Sequence, residues 1–293
     1  MLIRYGYKIA FSCPRPTPVV ARLSVHPERN ADVIYEIPFS TTPMVPSQLF
    51  TDEFGNRTRR FEAPAGTMTL RADGIISDSG LADATDTYAC EVPIMALPGE
   101  VMPFLLGSRY CETDLLSAIA WQMFAGLPPG WARVQAICDF VHAHLAFSYP
   151  AARSTRTAFE AYRERIGVCR DFTHLAITLC RCMNIPARYV NGYLGDIGVP
   201  SDPAPMDFSA WFDVYLGDRW HTFDARHNRP RTGRIVISRG RDAMDVPMIH
   251  SFGPHVLQSF HVTTVEVTDI TSTLEDDARS WQQIMPRLSL AAA

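Results

Sequence analysis

A chain of 293 residues with 47% hydrophobic and 20% charged side chains is composed to bury a core, which excludes a disordered polymer. Its formal net charge of -4 argues against nucleic acid as a partner, because a phosphate-binding surface shows as a basic excess. Seven irregularly spaced cysteines suit reduced thiols better than a disulfide framework.

The start, Met1-Leu2-Ile3-Arg4-Tyr5-Gly6-Tyr7-Lys8, lacks the apolar run and cleavage site of a signal peptide. No apolar run approaches the length of a membrane span, so a cytoplasmic protein without a membrane partner is expected. Lys8 is the only lysine, so the chain itself offers almost no amine to a cross-linking reaction.

Residues 1–105 read as a β-rich N-terminal domain. Val33 to Ile37 and Thr67 to Ala72 are apolar or alternating runs broken by Pro and Gly. Asp52-Glu53-Phe54-Gly55-Asn56 has the composition of a hairpin tip. No catalytic constellation appears here, and a supporting role is expected.

From Glu112 the pattern turns helical, opening a second domain over 106–267. Asp114 can cap a segment whose Leu115, Leu116, Ile119, Ala120 and Met123 share one face before Gly126 and Pro128-Pro129. A second helix carries Val134, Ile137, Cys138, Val141 and Leu145 on one stripe. His142 and His144 lie near its end, two apart, and so point to different sides, which suits capping or surface roles better than chelation. A third stripe, Phe172, Leu175, Ala176, Leu179 and Met183, follows Gly167-Val168-Cys169 and stops at Asn184 and Pro186. Three strands come next, over 187–194, 208–216 and 219–224, with further strand-like runs to about Val267 and a peripheral tail over 268–293. There is neither a Cys-x-x-Cys nor a His-Glu-x-x-His pattern, so no metal and no cofactor is expected.

Cys169 falls where a helix begins. Free N–H groups and the positive end of the helix dipole there favour a thiolate, predicting a thiol pKa below the usual ~8.5, and the same N–H groups suit an oxyanion hole. A buried apolar cysteine, the role expected of Cys180 and Cys182, is the plain alternative. In the next hairpin, a Gly217-Asp218 turn pairs Leu216 with Arg219, Tyr215 with Trp220 and Trp211 with Asp224. Ser209, Trp211, Asp213 and Tyr215 then share one face, with Asp224 across from Trp211 and diagonal to Ser209.

These segments resemble the bacterial transglutaminase-like superfamily: Gly167-Val168-Cys169-Arg170-Asp171-Phe172-Thr173-His174, Ile185 to Tyr193, Ala210-Trp211-Phe212-Asp213-Val214-Tyr215 and Trp220-His221-Thr222-Phe223-Asp224. The resemblance covers about residues 110–230. It implies an α+β fold with a papain/transglutaminase-like core, in which a Cys-bearing helix packs on an antiparallel sheet behind a β-rich N-terminal domain. It also implies Cys169 as nucleophile and Asp224 as the residue that orients the base.

The histidine that the family carries before Ala-Trp is Ser209 here, and a hydroxyl cannot take a proton at neutral pH as imidazole does. His221 falls on the opposite face of the hairpin from Asp224, and His174 is turned about 140° around the helix from Cys169. His227 is the best substitute, since Ala225 to Pro230 reads as a strand exit that can turn its imidazole back to Asp224. The expected site is therefore Cys169, Asp224 and His227, lined by Ser209, Trp211 and Arg170. The expected reaction is hydrolysis of a peptide or amide through a thiol acyl-enzyme. The alternative is an impaired relative that binds peptides or serves assembly. Substrate identity and oligomeric state stay open.

Overall fold

In the structure, a computed structural model, residues 1–268 are described; the expected tail lies outside them from position 269 on. The fold is a mixed α+β one with antiparallel main sheets. Its first third is β1 (Leu2–Cys13), β2 (Thr17–Ala21), β3 (Val33–Thr42), β4 (Ser47–Thr51), β5 (Arg57–Ala63) and β6 (Gly66–Ser77). The β4–β5 turn is the expected hairpin tip. Gly55 takes φ 83°, and the Asp52 carboxylate accepts from the N–H groups of Phe54 and Asn56 at 3.0 Å each.

Helices α1 (Thr113–Phe124), α2 (Trp131–His144), α3 (Ala158–Glu164) and α4 (Cys169–Cys182) follow, with the short parallel pair β7 (Ala146–Phe147) and β8 (Ile166–Gly167) among them. The α2 and α4 stripes are buried as their spacing predicts. In α1 the buried positions are Leu116, Ala120 and Phe124, whereas Leu115 and Met123 are exposed, and the cap is Glu112 rather than Asp114. The helix starts two residues earlier than an Asp114 cap would place it.

The central sheet runs β11 (Arg219–Phe223), β10 (Ser209–Leu216), β9 (Ala187–Tyr193), β12 (Ile235–Gly240). Leu216 pairs with Arg219 and Tyr215 with Trp220, the register set by the two-residue turn. Ala210, Phe212, Val214 and Leu216 pack into the helical core with Phe172, Leu175 and Leu179. Tyr193, Phe208, Ile235 and Ile237 join the core of the β-layer, against Ile3, Tyr5 and Tyr7. The central sheet thus lies between a helical layer and a β-layer.

The β-layer is completed from the other end of the described chain. In it, β13 (Ile249–Ser251) pairs with β2, and β14 (Val256–Val267) runs along β1 from Val256 opposite Ser12 to Val267 opposite Leu2. The two four-stranded sheets of this layer are therefore β14-β1-β6-β3 and β13-β2-β5-β4. Among the described residues no helix is long and apolar enough to cross a membrane.

Candidate active site

Cys169 is the first residue of α4, held there by its neighbours. Gly167 has no room for a side chain: a Cβ would stand 2.6 Å from Cβ and 2.7 Å from Oδ2 of Asp171. The buried Asp171 carboxylate accepts from the Val168 N–H at 2.9 Å and from Arg156 Nη1 at 3.1 Å. This is a helix start closed by an acidic side chain at its third position, a favourable place for negative charge.

The sulfur lies against an uncovered strand edge. β11 ends at Phe223, opposite Phe212, so Ser209 to Trp211 have β9 on one side and, among the described residues, no strand on the other. Ala210 donates its backbone N–H toward the Cys169 thiol from that edge. Burial pushes the half-buried thiol up to about 11, assisted by Asp207 and Asp224, while the Arg226 guanidinium and the Ala210 N–H pull the other way. The lowered pKa expected from the helix start is overturned, because desolvation exceeds what the Arg226 cation and the Ala210 N–H return. The thiol is therefore neutral at rest.

Asp224 follows the last residue of β11, and the chain turns there, with Asn228 N–H donating to the Asp224 carbonyl at 2.8 Å. Its carboxylate accepts the N–H groups of Arg226 and His227 at 3.0 Å each through Oδ1. On Oδ2 it receives His227 Nδ1 at 2.8 Å and Arg234 Nη2 at 2.9 Å. Burial alone would raise the carboxyl; Arg234 and His227 outweigh it and hold Asp224 well below the usual carboxylate range. With Nδ1–H committed to the carboxylate, Nε2 of His227 is the nitrogen left to accept a proton. His142 also steadies the turn, its Nδ1 lying 2.8 Å from the Arg226 carbonyl rather than capping its own helix.

The structure brings Ser209 and His227 to one cleft of about 70 Å³, together with Arg226, Asp207 and Tyr149. The other two expected lining residues lie elsewhere. Trp211 is fully buried with Val190 and Val236, and its ring carries the Arg234 guanidinium at 4.8 Å. It is a platform for the cation that fixes Asp224. Arg170 turns away to the Ser154 and Arg153 carbonyls and to Asp171.

Of two further residues that matter to the site, Arg234 went unnoticed in the sequence, and Arg226 read there as a surface arginine near the cleft. Arg234 links Asp224 to Asp83, whose oxygens lie 2.9 and 3.0 Å from its Nε, and nothing in the local pattern around either aspartate announces that bridge. Arg226 spreads over the Phe147 ring at 3.8 Å while facing the thiol, and its place in the Asp224–His227 turn was the only available signal. The two other histidines weighed as bases lie elsewhere: His221 pairs with Val214 and packs on Trp131, and His174 is buried and stacked on Tyr110. Among the described residues no three His, Cys, Asp or Glu side chains gather as a metal site.

Residues 117–225 match the sequence model of the Transglutaminase-like superfamily. A crystal structure of a candidate cysteine protease from Cytophaga hutchinsonii superposes with a TM-score of 0.79 at 29% identity, covering 92% of each chain. An uncharacterized protein of Mycobacterium leprae is 24% identical over 212 residues, 70% of this chain and 76% of that one. An uncharacterized protein of Mycobacterium tuberculosis is 27% identical over 216 residues, 67% of this chain and 68% of that one.

Proposed function

From the premise that this chain carries a transglutaminase-like superfamily domain, we propose that it is a cysteine hydrolase of amide or peptide bonds, with Cys169 as nucleophile, His227 as base and Asp224 as the group that orients the base. The observation that carries this reading is the 2.8 Å contact between His227 Nδ1 and the buried Asp224 carboxylate. A buried aspartate fixing one imidazole nitrogen and leaving the other accepting is the orienter–base half of a triad. A thiol kept neutral by burial calls for a base.

The steps balance with water as the only co-reactant. His227 Nε2 takes the thiol proton as sulfur bonds to the carbonyl carbon, and the carbonyl oxygen gains the negative charge. Collapse of that intermediate breaks the C–N bond, and the imidazolium returns the proton to the departing amine. Water then adds to the thioester, giving its proton to His227, and expulsion of sulfur restores the thiol and releases the acid. Hydrolysis is preferred over cross-linking as the fate of the acyl group, and the fit to a candidate cysteine protease supports it.

A second reading, an impaired binding module, draws on one observation: a serine stands where the family carries its base. Incubation with p-nitrophenyl acetate separates the two. The hydrolase reading predicts a burst of one p-nitrophenol per chain and an acetyl group on Cys169, both lost in Cys169→Ala. Absence of burst and adduct in the unaltered protein favours the binding module.

A further inference from the structure

Ser209 occupies the first position of β10 and is nearly fully buried, and its Oγ has no hydrogen-bond partner among the described residues. A hydroxyl carries one donor and two acceptor sites, and burying it unpaired is costly, so such a group calls for an explanation. The other unpartnered buried hydroxyls, on Tyr5, Tyr7, Tyr193 and Thr264, do not border the cleft that holds His227. Ser209 does border it. Its chain neighbour Ala210 aims its N–H at the Cys169 sulfur from the strand edge that β11 leaves uncovered.

We infer that the Ser209 hydroxyl is a catalytic hydrogen-bond donor to the carbonyl oxygen of the group being transferred, acting beside the Ala210 N–H as an oxyanion site. This rests on the cysteine acyl-transfer reading above. The missing partner is then the substrate itself: the hydroxyl gains its acceptor when a carbonyl arrives over the sulfur, and more strongly as charge develops on that oxygen. The position that normally supplies the base supplies a donor here, while the base comes from the turn after β11. A serine suits that exchange of roles, because it cannot take a proton at neutral pH yet donates readily. Its small side chain also leaves the cleft open for His227.

The test compares two reactions of the same sulfur in the full-length chain. Acetylation by p-nitrophenyl acetate passes through an oxyanion; alkylation by iodoacetamide displaces iodide and forms none. In Ser209→Ala, Cys169 acetylation is expected to slow by about 10²-fold, the loss typical of one such donor. Alkylation of Cys169 at the same pH, read by peptide mass, is expected to stay within about twofold, which also reports an intact fold. The inference is overturned if acetylation is unchanged, or if both reactions slow in parallel, which would make Ser209 a residue that tunes the thiol. If the unaltered Cys169 is alkylated but never acetylated, the hydrolase reading fails first and takes this inference with it.

Discussion

Replacing Asp224 by Asn exchanges one oxygen for an NH₂ group at the most connected carboxylate of the site. The amide oxygen can keep the two 3.0 Å bonds from the N–H groups of Arg226 and His227. The new NH₂ then faces two donors, His227 Nδ1 and Arg234 Nη2, where Oδ2 accepted at 2.8 and 2.9 Å. Breaking a buried pair by removing one partner costs about 3–5 kcal/mol. Arg234 keeps Asp83, with contacts of 2.9 and 3.0 Å, so the lower end, about 3 kcal/mol, is expected. At about 2.1 cal/mol/K of unfolding entropy per residue, that is a fall of about 5 °C in Tm for a chain of this size, measured by calorimetry. The effect on acylation is larger. To avoid the NH₂, His227 turns its Nδ1 lone pair toward residue 224 and carries its proton on Nε2, the wrong side for a base. In triads that tautomer error costs about 10⁴-fold in kcat. The burst rate with p-nitrophenyl acetate measures it. A variant that melts lower yet keeps the acylation rate would refute the orienting role of Asp224 and leave it a structural residue.

Acid should act on stability in two stages, followed by urea unfolding between pH 8 and 3. Burial, with Arg170 and Arg181, holds His174 well below the usual imidazole range, so the unfolded chain gains a proton below ~6.5 that the folded chain refuses. Stability then declines as pH falls below ~6.5, and His174→Gln should flatten that slope by about 1.4 kcal/mol per pH unit; an unchanged slope would contradict it. For Asp224 and Asp213, burial is outweighed by Arg234 and by Arg188 with Arg239, which hold both carboxyls low. Their contribution is complete above ~4 and lost as pH falls through their folded pKa values, giving a second, steeper loss. Gly167→Ala drives a Cβ to 2.6 Å from Asp171 and should cost about 2 kcal/mol and slow Cys169 acylation; a stable, active variant would show that the α4 start can shift freely. Ser209→Ala removes an unpaired buried hydroxyl and should stabilise the free protein by about 1 kcal/mol in urea unfolding, whereas a loss of stability would mean that Ser209 has a structural partner.

Where the pattern is local, sequence and structure agree closely. The α2 and α4 stripes follow from helical spacing, and the Gly217-Asp218 turn sets the register of Leu216 on Arg219 and Tyr215 on Trp220, although the ladder ends at Phe212 and Phe223, one pair short of the expected Trp211–Asp224. The exit at Ala225 to Pro230 was legible because Asn and Pro interrupt a strand, and that exit carries His227 back to Asp224. What escaped depends on contacts distant in sequence. The pairing of β14 with β1 joins Val267 to Leu2, a separation no local pattern encodes. Arg234 carries no local mark of its bridge between Asp83 and Asp224. The thiol was misjudged because a helix start is visible in sequence, while the cover that desolvates the sulfur comes from strand edge and loop. Arg170 was misplaced for a related reason: its neighbours on α4 are local, but the carbonyls of Arg153 and Ser154 that claim it belong to another segment.

The measurement that bears most directly on the central claim is the pH dependence of the p-nitrophenyl acetate burst on Cys169, in the unaltered chain and in His227→Ala. Base-assisted attack by a neutral thiol predicts a rapid burst near pH 7 in the unaltered chain. In His227→Ala it predicts a fall of about 10²-fold or more at that pH, recovering only toward alkaline pH as the thiol ionises unaided. A His227→Ala variant that acylates at the unaltered rate across that range would contradict the assignment of His227 as the base.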